Sequence, residues 1–93
     1  MVCGRMSDYR KVEFTEHAKL KLRILRKHGF MIEENKVVET IIQPDKIISG
    51  RMGRLIAQKR LDKEHVLRVI YETEDDKLKV ITLYPARRER YED

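Results

Sequence analysis

The spacing of apolar residues shifts along this chain, and each shift marks a new kind of element. Lys11-Val12-Glu13-Phe14 alternates polar and apolar, the period of a short half-buried strand. From residue 16 the apolar positions recur at Ala18, Leu22 and Leu25, flanked by Leu20 and Ile24, which is the spacing of an amphipathic helix. Thr15 stands in front as an N-cap, and His28-Gly29 follows, where Gly suits a left-handed C-terminal cap. That helix is predicted over 16–27. A second is predicted over 32–43, with Val37, Val38, Ile41 and Ile42 as its buried stripe and Pro44 as its end. Its start lacks a capping side chain, because Met31 and Ile32 stand there.

The second half reads as strands. Lys46–Ser49 is short, and Gly50 and Gly53 bracket a turn holding Arg51 and Met52. Arg54–Leu61, His65–Thr73 and Leu78–Tyr84 are longer runs, joined by Asp62-Lys63-Glu64 and Glu74-Asp75-Asp76-Lys77. Connections this short and polar predict consecutive antiparallel hairpins. The order β-α-α-β-β-β-β predicts an α+β fold with two helices packed on one face of an antiparallel sheet. Residues 1–9 show no periodicity and are expected to form a flexible arm, leaving 10–93 as a single domain. Which strand face is buried stays open by one register. Leu67, Val69 and Tyr71 share one face of their strand, and Val80, Thr82 and Tyr84 one face of the last. Arg68 and Tyr84 are therefore either functional groups on a sheet face or ordinary exposed strand residues.

Composition narrows the class. Ninety-three residues with 41% apolar side chains support one compact core. The charged fraction, 40%, is well above the roughly 25% of average soluble proteins. Gln and Asn number three (Asn35, Gln43, Gln58) beside abundant Lys, Arg, Glu and Ile, a thermophile-like balance. A single cysteine, Cys3, allows neither an internal disulfide nor a Cys-rich zinc site. No apolar run has the length of a membrane span and none reads as a signal sequence, so a cytoplasmic protein without a membrane partner is expected.

The charge is uneven. Lys and Arg outnumber Asp and Glu by 21 to 16, a net +5. Residues 10–28 hold seven basic groups against Glu13 and Glu16, and residues 51–68 hold six against Asp62 and Glu64. These segments either meet in one anion-binding patch or remain separate solvated faces. His17, His28 and His65 lack the spacing of a metal site, and no Gly-rich phosphate loop or nucleophilic Ser motif is present, so no metal or cofactor is expected.

Arg, His and Tyr can support one metal-independent reaction, RNA cleavage by attack of its own 2′-hydroxyl. It requires a base, an acid, and cations around the phosphorane-like transition state. His17 falls in the first turn of the first helix, where the helix dipole favours neutral imidazole, and Lys21 lies one turn further on. The alternative is that His17 simply packs or hydrogen-bonds at the helix start.

Several segments carry a resemblance. Arg26-Lys27-His28-Gly29-Phe30, Glu33-Glu34 and Gln43-Pro44-Asp45 resemble the KHG…EEA…DP pattern of BrnT-type toxins, small ribonucleases related to RelE and ParE. The stretch from Lys79 to Glu92 looks like their last strand and Arg/Glu-rich tail. Phe14-Thr15-Glu16-His17-Ala18, with Lys59-Arg60 and Val80–Pro85, looks closer still to a sister group of small domains with no established activity. The similarity covers residues 12–92. BrnT-like chains usually read Ser-Ala-Arg after the last strand, whereas here Leu83-Tyr84-Pro85-Ala86 precedes Arg87.

The resemblance implies a RelE-like fold, an RNA or ribosome target, and neutralisation by a cognate antitoxin; a homodimer is left open. By position it implies phosphate contacts from Lys59, Arg60, Arg87, Arg88 and Arg90; joined with the reading of the residues themselves, the expected catalytic groups are His17, Arg60, Tyr84 and Arg87, and the expected RNA contacts Lys21, Lys59, Arg68, Arg88 and Arg90. Three functions fit: a toxin-like endoribonuclease, a non-catalytic RNA- or protein-binding module, and a ParE-like inhibitor that docks on a partner enzyme.

Overall fold

A computed structural model of the chain describes residues 11–74 and 77–88. The expected arm over 1–9 and the tail residue Arg90 lie outside the described residues. The elements run β1 (Lys11–Phe14), α1 (Glu16–Lys27), α2 (Glu34–Ile42), β2 (Lys46–Ser49), β3 (Leu55–Arg60), β4 (His65–Glu74) and β5 (Lys77–Arg87). The α+β order predicted above is present. The sheet is mixed rather than wholly antiparallel, however, because β1 pairs in parallel with β5. Its strand order is β1-β5-β4-β3-β2, so the last strand lies between the first and the fourth. A four-residue strand carries no signal of its partner's direction, which is why alternation alone could not show this.

Thr15 organises the junction. Its hydroxyl accepts the Ala18 N–H (3.1 Å) as the N-cap of α1 and is shared as a donor between the Val80 and Ile81 carbonyls (3.0 Å each). Its own N–H donates to the Val80 carbonyl (3.1 Å). Those carbonyls belong to a β-bulge. Ile70 faces Thr82 while Tyr71 faces Val80, leaving Ile81 as an extra residue in β5. The bulge resolves the face ambiguity: Leu78, Val80 and Leu83 all enter the core, while Thr82 and Tyr84 turn to the opposite face.

Both helices cover one side of the sheet. Ala18, Leu25, Val37 and Ile41 meet Ala57, Leu67, Val69, Tyr71, Leu78, Val80 and Leu83 in a single buried cluster. In α2 the buried stripe is Val37, Thr40 and Ile41, with Val38 and Ile42 only half-buried. Thr40 is admitted because its hydroxyl donates to the Lys36 carbonyl (2.8 Å), so no polar atom is stranded. Ile32 is buried ahead of α2 and not within it.

Helix α1 ends as its Gly predicts. Gly29 adopts φ +93°, its N–H donates to the Arg26 carbonyl (3.1 Å), and the Phe30 N–H donates to the Leu25 carbonyl (2.9 Å). This is the paired hydrogen-bond pattern of a Schellman cap. Arg51–Gly53 forms a tight turn between β2 and β3, in which exposed Met52 is left-handed (φ 57°, ψ 38°). Among the described residues no helix is long and apolar enough to cross a membrane.

Thr15→Val keeps the shape of the side chain but removes both the cap acceptor and the donor to the bulge. We expect it to lose about 1–2 kcal/mol of stability in urea denaturation, with Thr15→Ser close to wild type. Equal stability of the valine variant would show that solvent replaces both interactions.

Candidate nucleic-acid interface

The Schellman cap sends the chain from α1 towards the β3–β4 turn, where the Phe30 ring meets the His65 ring edge-on (centroids 5.2 Å apart, 84° between planes). The end of the first basic segment, Arg26-Lys27-His28, is thus carried to the end of the second. The Phe30–His65 contact sets the C-terminal end of this basic helix beside the β3–β4 turn.

The turn is built by one carboxylate. Asp62 Oδ1 accepts the N–H groups of Glu64 and His65 (2.8 Å each) and lies 3.0 Å from His65 Nδ1. The Leu61 and Asp62 N–H groups close the loop onto the His65 carbonyl (2.9 and 3.2 Å). The Glu64 N–H above all holds the Asp62 carboxyl below its ordinary 3.8; partial desolvation opposes this, and the His65 ring and N–H reinforce it. An ionised carboxylate only accepts hydrogen bonds, so His65 Nδ1 carries the proton.

Other cations gather around this turn. Arg87 is the ladder partner of His65 and is exposed. Arg88 donates from its backbone N–H to the Glu64 carbonyl and from Nη1 to the Lys63 carbonyl (2.9 Å each), folding the end of β5 over the turn. Exposed Arg60, at the end of β3, has its N–H held by Asp45 Oδ2 (2.8 Å). Lys59 Nζ donates to the carbonyl of Gln43, the C-terminal cap of α2 (2.8 Å), where a cation suits the helix dipole.

On the sheet face away from the helices, Lys46, Gln58, Arg68 and Tyr84 form one cross-strand row. Arg68 is buried at 8% exposure; its Nε donates to the Tyr84 hydroxyl (3.0 Å) and Nη1 to Gln58 Oε1 (2.6 Å). Further along that face Arg54 pairs with Glu72 (2.9 Å).

Of the residues expected from sequence, Lys59, Arg60, Arg87 and Arg88 lie at the hairpin end, with Lys59 and Arg87 on the helix side of the ladder and Arg60 on the opposite side. Tyr84 and Arg68 lie two residues further along the strands from Ala86 and Val66, engaged with each other. His17 and Lys21 do not join them. His17 is exposed in the first turn of α1, and the 12-residue helix puts about 18 Å between its two ends. His65 is not among the residues expected from sequence, because its spacing to the other histidines carries no metal signal. The legible signal was Asp62 three residues before it, in a turn.

The chain was compared with protein-family models, curated proteins and solved structures, and none matches.

Two tests follow from this geometry. Because folding lowers the Asp62 pKa, its carboxylate stabilises the turn above pH 3.8, and that support is lost as pH falls further through the lowered value. Protection of the Glu64 and His65 amides, measured against the intrinsic exchange rate at each pH, should fall over that window in wild type and show no such step in Asp62→Asn. On the other face, Gln58→Leu removes the acceptor of a buried guanidinium N–H and should cost about 2 kcal/mol in chemical denaturation. An unchanged midpoint would mean that Arg68 draws its support from elsewhere.

Proposed function

We propose that this chain is a small RNA-binding and RNA-cleaving domain, a RelE/BrnT-like toxin whose cognate antitoxin would mask its basic end. The observation that carries the reading is the gathering of Arg60, Lys63, Arg87 and Arg88 around the β3–β4 turn, with the end of the first helix set beside it by the Phe30–His65 contact. A polyanion is the ligand such a rim suits, since several phosphates can be neutralised together and their counterions released. Arg60 and Arg87 are the exposed members, and guanidinium groups can hold phosphate oxygens bidentately. The RelE-like assignment is supported by two helices against one face of a five-stranded sheet whose last strand is internal.

Binding without cleavage is the second reading, and one observation favours it. His17 lies a helix length from the arginine rim, so it cannot share a phosphate with Arg60 and Arg87.

The test is binding of a labelled single-stranded RNA followed by anisotropy over a range of salt. Affinity should fall steeply with salt, and Arg60→Ala and Arg87→Ala should each lower the slope by about one. Salt-independent binding, or slopes unchanged in both variants, would remove this interface. Capture of an acidic protein but not RNA would favour the docking module.

A further inference from the structure

We infer that His65, held by Asp62, is the proton-transfer group of this interface, acting on the ribose 2′-hydroxyl of an RNA bound across the arginine rim. The inference rests on the RNA reading above and adds the reactive group that reading lacks.

Three features carry it. The Asp62 carboxylate takes the Nδ1 proton at 3.0 Å, which fixes the tautomer and leaves the Nε2 lone pair of neutral imidazole as the acceptor. No group among the described residues hydrogen-bonds Nε2. The ring is held on both sides of its attachment: Phe30 packs edge-on against it, and the His65 backbone N–H and carbonyl are both tied into the turn. With a quarter of its side chain exposed (24%), it is fixed in place yet reachable. Finally, His65 and Arg87 face each other across the β4–β5 ladder, so their side chains project on the same side of the sheet. A base and a phosphate-binding cation are therefore neighbours. Neither Asp62 nor Phe30 is needed in this arrangement for charge complementarity with RNA; both orient the imidazole.

The chemistry balances without metal or added water. Nε2 takes the proton of the 2′-hydroxyl, and the 2′-oxygen forms a bond to the adjacent phosphorus. The bond from phosphorus to the 5′-oxygen breaks, and that oxygen leaves with the electron pair and takes up a proton from solvent. The imidazolium then returns its proton to solvent. The products are a 2′,3′-cyclic phosphate and a 5′-hydroxyl. Arg87 would meet the charge that grows on the non-bridging oxygens.

The experiment incubates the purified chain in EDTA with a labelled RNA oligonucleotide, and separately with message engaged on ribosomes, and compares His65→Gln, Asp62→Asn and His17→Gln. We expect His65→Gln to lower kcat by about 100-fold or more while RNA affinity stays within a factor of about two. Asp62→Asn keeps an oxygen for the Glu64 and His65 N–H groups but no longer enforces the tautomer. It should lower kcat with KM unchanged, which marks a positioning role, and it remains informative if the His65 variant fails to fold. Cleavage that persists in His65→Gln and is lost in His17→Gln overturns the assignment of His65 but leaves the RNA reading standing. Wild-type chain that binds RNA and cleaves it in neither setting overturns the assignment and the cleavage reading together. Failure to bind RNA at all removes the interface as well.

Discussion

The fold depends on how one threonine joins three pieces of backbone. A β-bulge leaves carbonyls without ladder partners, and a helix start leaves N–H groups without acceptors. Thr15 meets both needs at one point, since its hydroxyl can donate one hydrogen while accepting another. The consequences spread outward. The bulge lets Val80 and Leu83, three residues apart, face the same core, and the cap fixes where α1 begins. From that start, twelve residues of helix determine where Gly29 reverses the chain and where Phe30 arrives. The position of the His65 ring contact is thus set by a hydrogen bond at the far end of the helix.

At the other end of the molecule the dominant constraint is electrostatic. A surface carrying Arg60, Lys63, Arg87 and Arg88 around one short turn is self-repelling, and the structure manages it through oxygen acceptors. Backbone carbonyls of Lys63, Glu64 and Gln43 and the Asp62 carboxylate take up the donors that face inward. Arg60, Lys63 and Arg87 remain exposed, beside the exposed carboxylates of Asp62 and Glu64. This differs from the helix-free face, where the Arg68 guanidinium is buried and answered by Tyr84 and Gln58. The same residue type is therefore an internal cross-link between strands in one place and an exposed charge in the other.

Much of this was legible in the pattern of residues, and the failures have physical causes. The limits of α1 could be read because Thr15 and Gly29 are local signals whose hydrogen bonds lie within a few residues. The start of α2 was drawn too early because Ile32 is apolar in phase with the helix but is buried on the chain leading into it. Thr40 was missed from the core because its hydroxyl is satisfied by its own helix, which composition cannot reveal. The alternation of β5 could not be followed through Ile81, since a bulge inverts the faces beyond it. The basic groups of the rim were visible as residues but not as a cluster. Their gathering depends on the β3–β4–β5 register and on the Arg88 hydrogen bonds to the turn, which join residues far apart in the chain. His65 itself carried a readable cue in the aspartate three positions earlier.

The internal place of β5 has a bearing on when this protein comes into being. Strand β5 is the last to be synthesised, yet it sits between β1 and β4, and Thr15 must wait for carbonyls 65 and 66 residues downstream. The core therefore cannot close until β5 has left the ribosome. A nascent chain lacking this strand has no partner for β1, no bulge for Thr15, and neither Arg87 nor Arg88 at the turn. Long-range closure of this kind makes folding slow relative to helix formation and leaves β4 an open edge until late. The arrangement ties the assembly of the basic rim to the arrival of β5, however early the helices form.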